Sequence, residues 1–185
     1  MVSAQGNVEV RRAGQAQWQP AHLNDLYCAG DRIQVGERSR ADLALANQPI
    51  LRLDQNSTIT LGEIKEQRTA LVELLNGALY FFSRQPRNLE VQTPFVNAGV
   101  EGTEGFVLVE ATRTLVSIFE GRVLASNQVG MLTVVSGQTA IAEQGRAATL
   151  TVTVRPDDAV AWALYYLPTL YFRPHDVELL DACGG

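Results

Sequence analysis

The residues whose types bear on chemistry are few in this chain, and their spacing points away from a reactive centre. Gly99-x-x-Gly102-x-x-Gly105 has the glycine spacing of a phosphate loop. Such a loop works only where it follows a strand and opens a helix, so that backbone amides and the helix dipole converge on the anion. Here Phe106-Val107-Leu108-Val109 follows and reads as a strand, and no P-loop lysine comes after it. A metal site needs three or four clustered ligands. The two histidines, His22 and His175, stand at opposite ends of the chain, and no C-x-x-C, H-x-H or H-E-x-x-H pattern occurs. A nucleophile would need a base beside it, and no G-x-S-x-G elbow is present. Glu101 and Glu104 are the best candidates for the paired carboxylates of a glycosidase. Three residues apart in an extended strand they would face opposite sides, so solvent exposure or a local pair with arginine is the preferred reading. The sequence therefore yields no catalytic residue, no metal ligand and no cofactor.

Composition narrows the partners. The chain has 185 residues, enough for one domain of ordinary size with an appendage. A hydrophobic fraction of 46% against 19% charged residues marks a globular chain rather than a disordered one. The net charge of −5 argues against nucleic acid, whose binders gain most of their affinity from a basic face. The only basic clusters are Arg11-Arg12 and the stretch from Arg84 to Arg87, which read as solvated surface. No apolar run approaches the roughly 20 residues of a membrane span. No export signal is visible ahead of the first strand, which leaves a cytosolic protein and one whose export segment has been removed both open. Spacing does not decide whether Cys28 and Cys183 pair.

The elements that would carry any site are short strands. Gly6-Asn7-Val8-Glu9-Val10, Gly77-Ala78-Leu79-Tyr80-Phe81, Gly121-Arg122-Val123-Leu124 and Gly137-Gln138-Thr139-Ala140-Ile141 share one form, with a weaker copy at Gly145. Each has an apolar residue, a polar position, a glycine, then a strand of period two. Glycine suits a corner of positive φ, and alternation marks a strand with one buried face. Further strands are predicted over Arg32–Val35, Ala41–Leu45, Ile50–Leu53, Ser57–Leu61, Phe106–Glu110 and Thr114–Phe119. Turn signals recur about every ten residues, the spacing of a sandwich, barrel or β-solenoid. Thr93-Pro94 fits the end of a strand, because proline forces the preceding residue to be extended. Gly102-Thr103 fits a tight bend with the hydroxyl satisfying nearby backbone.

The pattern changes at Arg155-Pro156-Asp157-Asp158, a good helix start. Val160, Ala161, Leu164 and Leu167 follow at helical spacing, and Pro168 stops the run. Pro174-His175-Asp176 begins a second run. Residues 1–154 are read as a β domain and 155–185 as a helical tail or a linker to a downstream region. Trp162, Tyr165, Tyr166, Tyr171 and Phe172 make the tail aromatic, so it needs cover, either from the β domain or from a further domain or partner.

In order and spacing, these pieces resemble the FecR family across almost all of residues 3–150. Gly6-Asn7-Val8-Glu9-Val10 corresponds to its opening strand, followed by Trp18. Leu26 with Gly30-Asp31-Arg32-Ile33 and Gly36 corresponds to its L-x-x-G-D-x-I-x-T-G segment, with Val35 in place of threonine. Ser39-Arg40-Ala41 and Asn76-Gly77-Ala78 correspond to the next two elements. Thr93-Pro94 with Val100-Glu101-Gly102-Thr103 corresponds to its T-P…V-x-G-T hallmark. Phe119-Glu120-Gly121-Arg122-Val123 and Ser136-Gly137-Gln138 close the series. Two departures stand out. Gly105 comes between the G-T-x triplet and its aromatic, Phe106, and Glu101 replaces a frequent arginine. The glutamate and the tail Ala161-Trp162-Ala163-Leu164-Tyr165-Tyr166-x-Pro168 resemble the subgroup found ahead of tetratricopeptide repeats.

The resemblance implies an exported, all-β domain, a compact FecR-like β-solenoid or twisted β-sandwich with a short C-terminal helical tail. It implies a periplasmic or envelope location and a non-enzymatic module that binds protein, senses a signal or serves as a scaffold. Gly30, Asp31, Thr93, Pro94, Gly102, Thr103 and Gly121 are expected to build corners and core. Trp162, Tyr165, Tyr166, Tyr171 and Phe172 are expected to meet a partner or downstream repeats. An alternative is an envelope glycan-binding module with Trp18, Tyr27 and Tyr80 aligned as a stacking platform.

Overall fold

The computed structural model describes residues 1–45, 49–63 and 69–152, the last range without the side chains of 83–88. Every regular element among them is a strand: β1 (Ser3–Gln5), β2 (Val8–Arg11), β3 (Gln19–Pro20), β4 (Arg32–Val35), β5 (Arg40–Ala44), β6 (Ile50–Leu53), β7 (Thr58–Leu61), β8 (Ala70–Gln92), β9 (Asn97–Val109), β10 (Arg113–Ser126), β11 (Met131–Val135), β12 (Gln138–Glu143) and β13 (Thr149–Val152). The expected helical tail, and with it the boundary at 154, lies outside the described residues.

All the strands join one antiparallel sheet that is open and branched. At β8 it splits into two arms. One runs β8-β7-β4-β2-β3, with β7 paired along Val72–Asn76. The other runs β8-β6-β5-β1, with β6 paired along Leu79–Phe82. Ile33, Val35 and Ile59 of the first arm share one dry core with Leu43, Leu51 and Leu53 of the second. β4, β5 and β7 bury alternate residues, as a period of two requires, and β6 also buries Ile50 beside Leu51.

The chain crosses between the arms at corners of one design. Gly77 turns β8 from the β7 arm to the β6 arm with φ +87°, a left-handed conformation that glycine alone adopts freely. A Cβ there would strike the backbone and hydroxyl of Ser57. That hydroxyl accepts from the amide of Ala78 (2.9 Å) and donates to the carbonyl of Ala78 (3.1 Å). Gly6 repeats the arrangement between β1 and β2: the amide of Asn7 donates to Ser39 Oγ (2.8 Å), which donates to the carbonyl of Glu37 (2.9 Å). Ser39 and Ser57 are both fully buried, so each hydroxyl satisfies backbone groups that the corner takes out of the ladder.

Three strands are much longer than the sequence suggests: 23 residues in β8, 13 in β9 and 14 in β10. The glycines bend them without ending the pairing, so separately predicted segments fuse. A bulge marks the second bend. The register shifts between Phe82 and Arg87 in β8 and around Glu120 in β10. Before the bend β10 pairs with β12, along Arg113–Ile118; after it, with β11, along Arg122–Ser126.

Candidate functional site

Most motif residues are brought into structural knots. Asp31 is 3% exposed, and its carboxylate accepts from the amides of Ala13 (2.9 Å) and Cys28 (3.0 Å) and from Arg12 Nη1 (2.8 Å). Arg12 also donates to the carbonyl of Leu26 (2.6 Å) and lies 4.6 Å from the centre of the Tyr27 ring. A buried carboxylate is tolerated when it is paired and hydrogen-bonded like this. Gly30 comes so close that a Cβ would sit 2.9 Å from that of Ala13. The G-D pair thus ties the loop after Arg12 to the loop before β4. Cys28 lies beside this knot and is not a free thiol; Cys183 lies outside the described residues.

Thr93 ends β8 as expected. Its hydroxyl donates to the carbonyl of Val96 (2.6 Å), accepts from the amide of Val96 (3.1 Å) and meets Thr114 Oγ1 (3.1 Å). Gly102 and Gly121 face each other across β9 and β10 at the bulge. A Cβ on Gly102 would lie 2.6 Å from the carbonyl oxygen of Glu120, and one on Gly121 would strike Gly102 Cα. The hallmark therefore encodes a backbone crossing too tight for any side chain. Gly105 leaves the room taken by the ring of Phe81.

Two expectations at this bend need correction. Gly102-Thr103 lies at a bend inside β9, but Thr103 Oγ1 does not satisfy nearby backbone: it is buried with no hydrogen-bond partner among the described residues. Glu101 and Glu104 do not face opposite sides, because the bulge resets the alternation and turns both outward. They still serve separately: Glu101 pairs with Arg122 (2.5 Å), and Glu104 accepts from the hydroxyl of Tyr80 (2.5 Å). Burial, then the neighbouring carboxylate, pushes the Tyr80 phenol above its ordinary range. Among the described residues no three of His, Cys, Asp and Glu gather as a metal site. No helix among them is long and apolar enough to cross a membrane.

The three aromatics expected as a stacking platform are not on one exposed face. Tyr80 is 5% exposed, Trp18 lies under Arg11 (5.3 Å) and Tyr27 under Arg12. The expected partner residues Trp162, Tyr165, Tyr166, Tyr171 and Phe172 lie outside the described residues.

Sequence reasoning missed a surface at the far end of the long strands. Met131 is 74% exposed, Leu124 47% and Val135 42%. Leu124 stands opposite Thr133 of β11 and opposite Gly99 of β9, so no side chain shields it on that side. Met131 and Val135 flank Thr133 on the same face. Among the described residues β11 pairs with β10 alone, which leaves its second edge open. The exposed ion pair Arg122–Glu101 borders the strip. The signal was present: Met131, Thr133 and Val135 alternate with Leu132 and Val134, an apolar run with no polar face.

Comparison with known proteins agrees with this fold. Two crystal structures of a candidate anti-sigma factor from Parabacteroides distasonis superpose with a TM-score of 0.62 at 16% identity. Each match covers 71% of this chain and 63% or 64% of that one, so this chain spans less than two-thirds of those structures. No curated protein matches. The family described as FecR protein matches residues 31–124, from Asp31 of the buried knot to Leu124 of the exposed strip, and the chain belongs to the FecR family.

Proposed function

We propose that this chain is a non-enzymatic protein-binding module of envelope signalling or scaffolding, and that it meets its partner along β10 and β11. The carrying observation is the strip of Leu124, Met131 and Val135 beside an open strand edge. Exposed apolar side chains next to unpaired backbone suit an extended polypeptide that adds as a further strand, with main-chain bonds for affinity and alternate side chains for choice. The strip's charged border, Arg122 with Glu101, fits the polar rim of such a contact. Membership of the FecR family and the likeness to an anti-sigma factor support a regulatory role; a place in the periplasm, upstream of helical repeats, is part of the same proposal. The burial of Tyr80 leaves the glycan alternative without its platform.

A photo-crosslinking residue at position 131 in the native host tests this. The expected result is a discrete adduct that Leu124→Glu abolishes and that the same residue at exposed position 37 does not give. Equal labelling from both positions would refute the assignment.

A further inference from the structure

Of the nine large apolar side chains exposed among the described residues, six lie between Leu124 and Val152. They mark the end of the sheet where β11 and β13 each pair on one side only among the described residues. The edge at the opposite end, β3, is blunted, being two residues long with Pro20 as one of them. β11 and β13 hold neither proline nor charge. They differ in one respect. β13 is exposed on both faces, whereas β11 buries Val134 completely and packs Leu132 against the main core. A strand laid on β11 therefore extends the core as well as the ladder. Alternate residues of an antiparallel ladder turn their backbone groups away from the neighbouring strand. The amide of Val135 donates to Gln138 Oε1 (3.1 Å) rather than to β10, so the backbone groups of Met131, Thr133 and Val135 point out along the open edge.

We infer that the occupant of this edge is β11 of a second copy of this chain, paired antiparallel about a two-fold axis at Thr133. The inference rests on the reading that β11 receives a partner strand, and it names that partner. The edge calls for a short segment that is apolar on both faces and free of charge and proline. Met131-Leu132-Thr133-Val134-Val135 is itself such a segment. Pairing about Thr133 sets Met131 against Val135 of the second copy on the outer face. On the inner face it sets Leu132 against Val134 of the second copy, and symmetry repeats both contacts. At the centre Thr133 meets its own counterpart, a favourable cross-strand pair. No charge opposes a like charge: Arg122, which stands beside Val135 in β10, is held by Glu101 of its own sheet (2.5 Å). The same patch serves both copies, so the contact closes on itself and stops at two chains.

Analytical ultracentrifugation of the full chain tests this, because residue 133 faces its own counterpart only at a two-fold axis. Across the micromolar range the average mass should rise from one towards two times 20.2 kDa. Thr133→Lys and Thr133→Glu, at an exposed position, should each keep the β circular dichroism. Each alone should weaken association about tenfold or more, since like charges then stand opposite. Mixing the two variants should restore the dimer. A mass that stays at one chain, an association that neither variant weakens, or a mixture that does not reassociate would overturn the inference. The photo-crosslinking residue at position 131 separates this inference from the reading beneath it. An adduct of two copies of the chain supports both, an adduct with another protein overturns the second copy alone, and no adduct overturns both.

Discussion

The two halves of β8, β9 and β10 share a sheet, a core and a chain, yet their outer faces differ. Before the bend the outward side chains are Ala78, Tyr80, Phe82, Phe106, Leu108 and Phe119, mostly hidden from water. Beyond it they are Glu90 and Gln92 in β8, half-buried, and Asn97, Gly99, Glu101, Arg122 and Leu124 in β9 and β10, exposed. The inward side chains hardly differ: Leu79, Val107 and Val116 in one half, Val91, Val100 and Val123 in the other. A strand's inner face thus reports only that a core exists. Its outer face varies independently, and here it separates a half mostly hidden from water from an exposed half.

The largest effect expected from breaking this arrangement is at the bend. Gly121→Val sets a branched side chain against Gly102 at φ +99°, and more than about 4 kcal/mol of stability should be lost. Both halves should fail together, seen as loss of the β circular dichroism; a chain folded normally with valine there would mean that the crossing has slack.

Matched truncations sharpen the contrast. Phe106→Ala should cost about 3 kcal/mol or more, because a buried aromatic leaves a cavity. Leu124→Ala, outward on the same sheet, should stay within about 0.5 kcal/mol. Urea unfolding of both variants measures the difference directly, and equal costs would erase the distinction between the halves.

Asp31→Ala is a control away from both faces. It strands Arg12 and the amides of Ala13 and Cys28, at a cost of about 3 kcal/mol. Urea unfolding should show that loss while the protection of Tyr80 stays unchanged in the folded protein.

The smallest effect is at alkaline pH. The folded state holds the Tyr80 proton more tightly than the unfolded state does. The stabilisation is whole below the ordinary tyrosine range and fades as pH rises through it, because only the unfolded chain releases the proton. Stability should fall more steeply above pH about 10 in the parent chain than in Tyr80→Phe, as followed by thermal unfolding across the pH series.

Much of the frame was legible in the sequence. Gly6, Gly77 and Gly121 stand at corners of positive φ because apolar-x-Gly followed by alternation has few other solutions. Ile50–Leu53 and Arg32–Val35 coincide with β6 and β4 because each carries its own period and its own flanking turn. Strand length was not legible, since a bend that preserves pairing looks locally like an end. The facing of Glu101 and Glu104 was lost for a related reason: a bulge changes parity, and parity was what the prediction used. The hidden half had a signal that alternation alone overlooks. Leu79-Tyr80-Phe81-Phe82 and Phe106-Val107-Leu108-Val109 are continuously apolar, which a strand needs only when both faces are buried.

Hydroxyl-radical footprinting of the intact chain, read residue by residue by mass spectrometry, tests the division of the sheet most directly. Tyr80 and Phe106 should be protected and Met131 and Leu124 heavily oxidised, with urea removing the difference. Oxidation of Tyr80 and Phe106 at rates matching Met131 in the folded protein would contradict it.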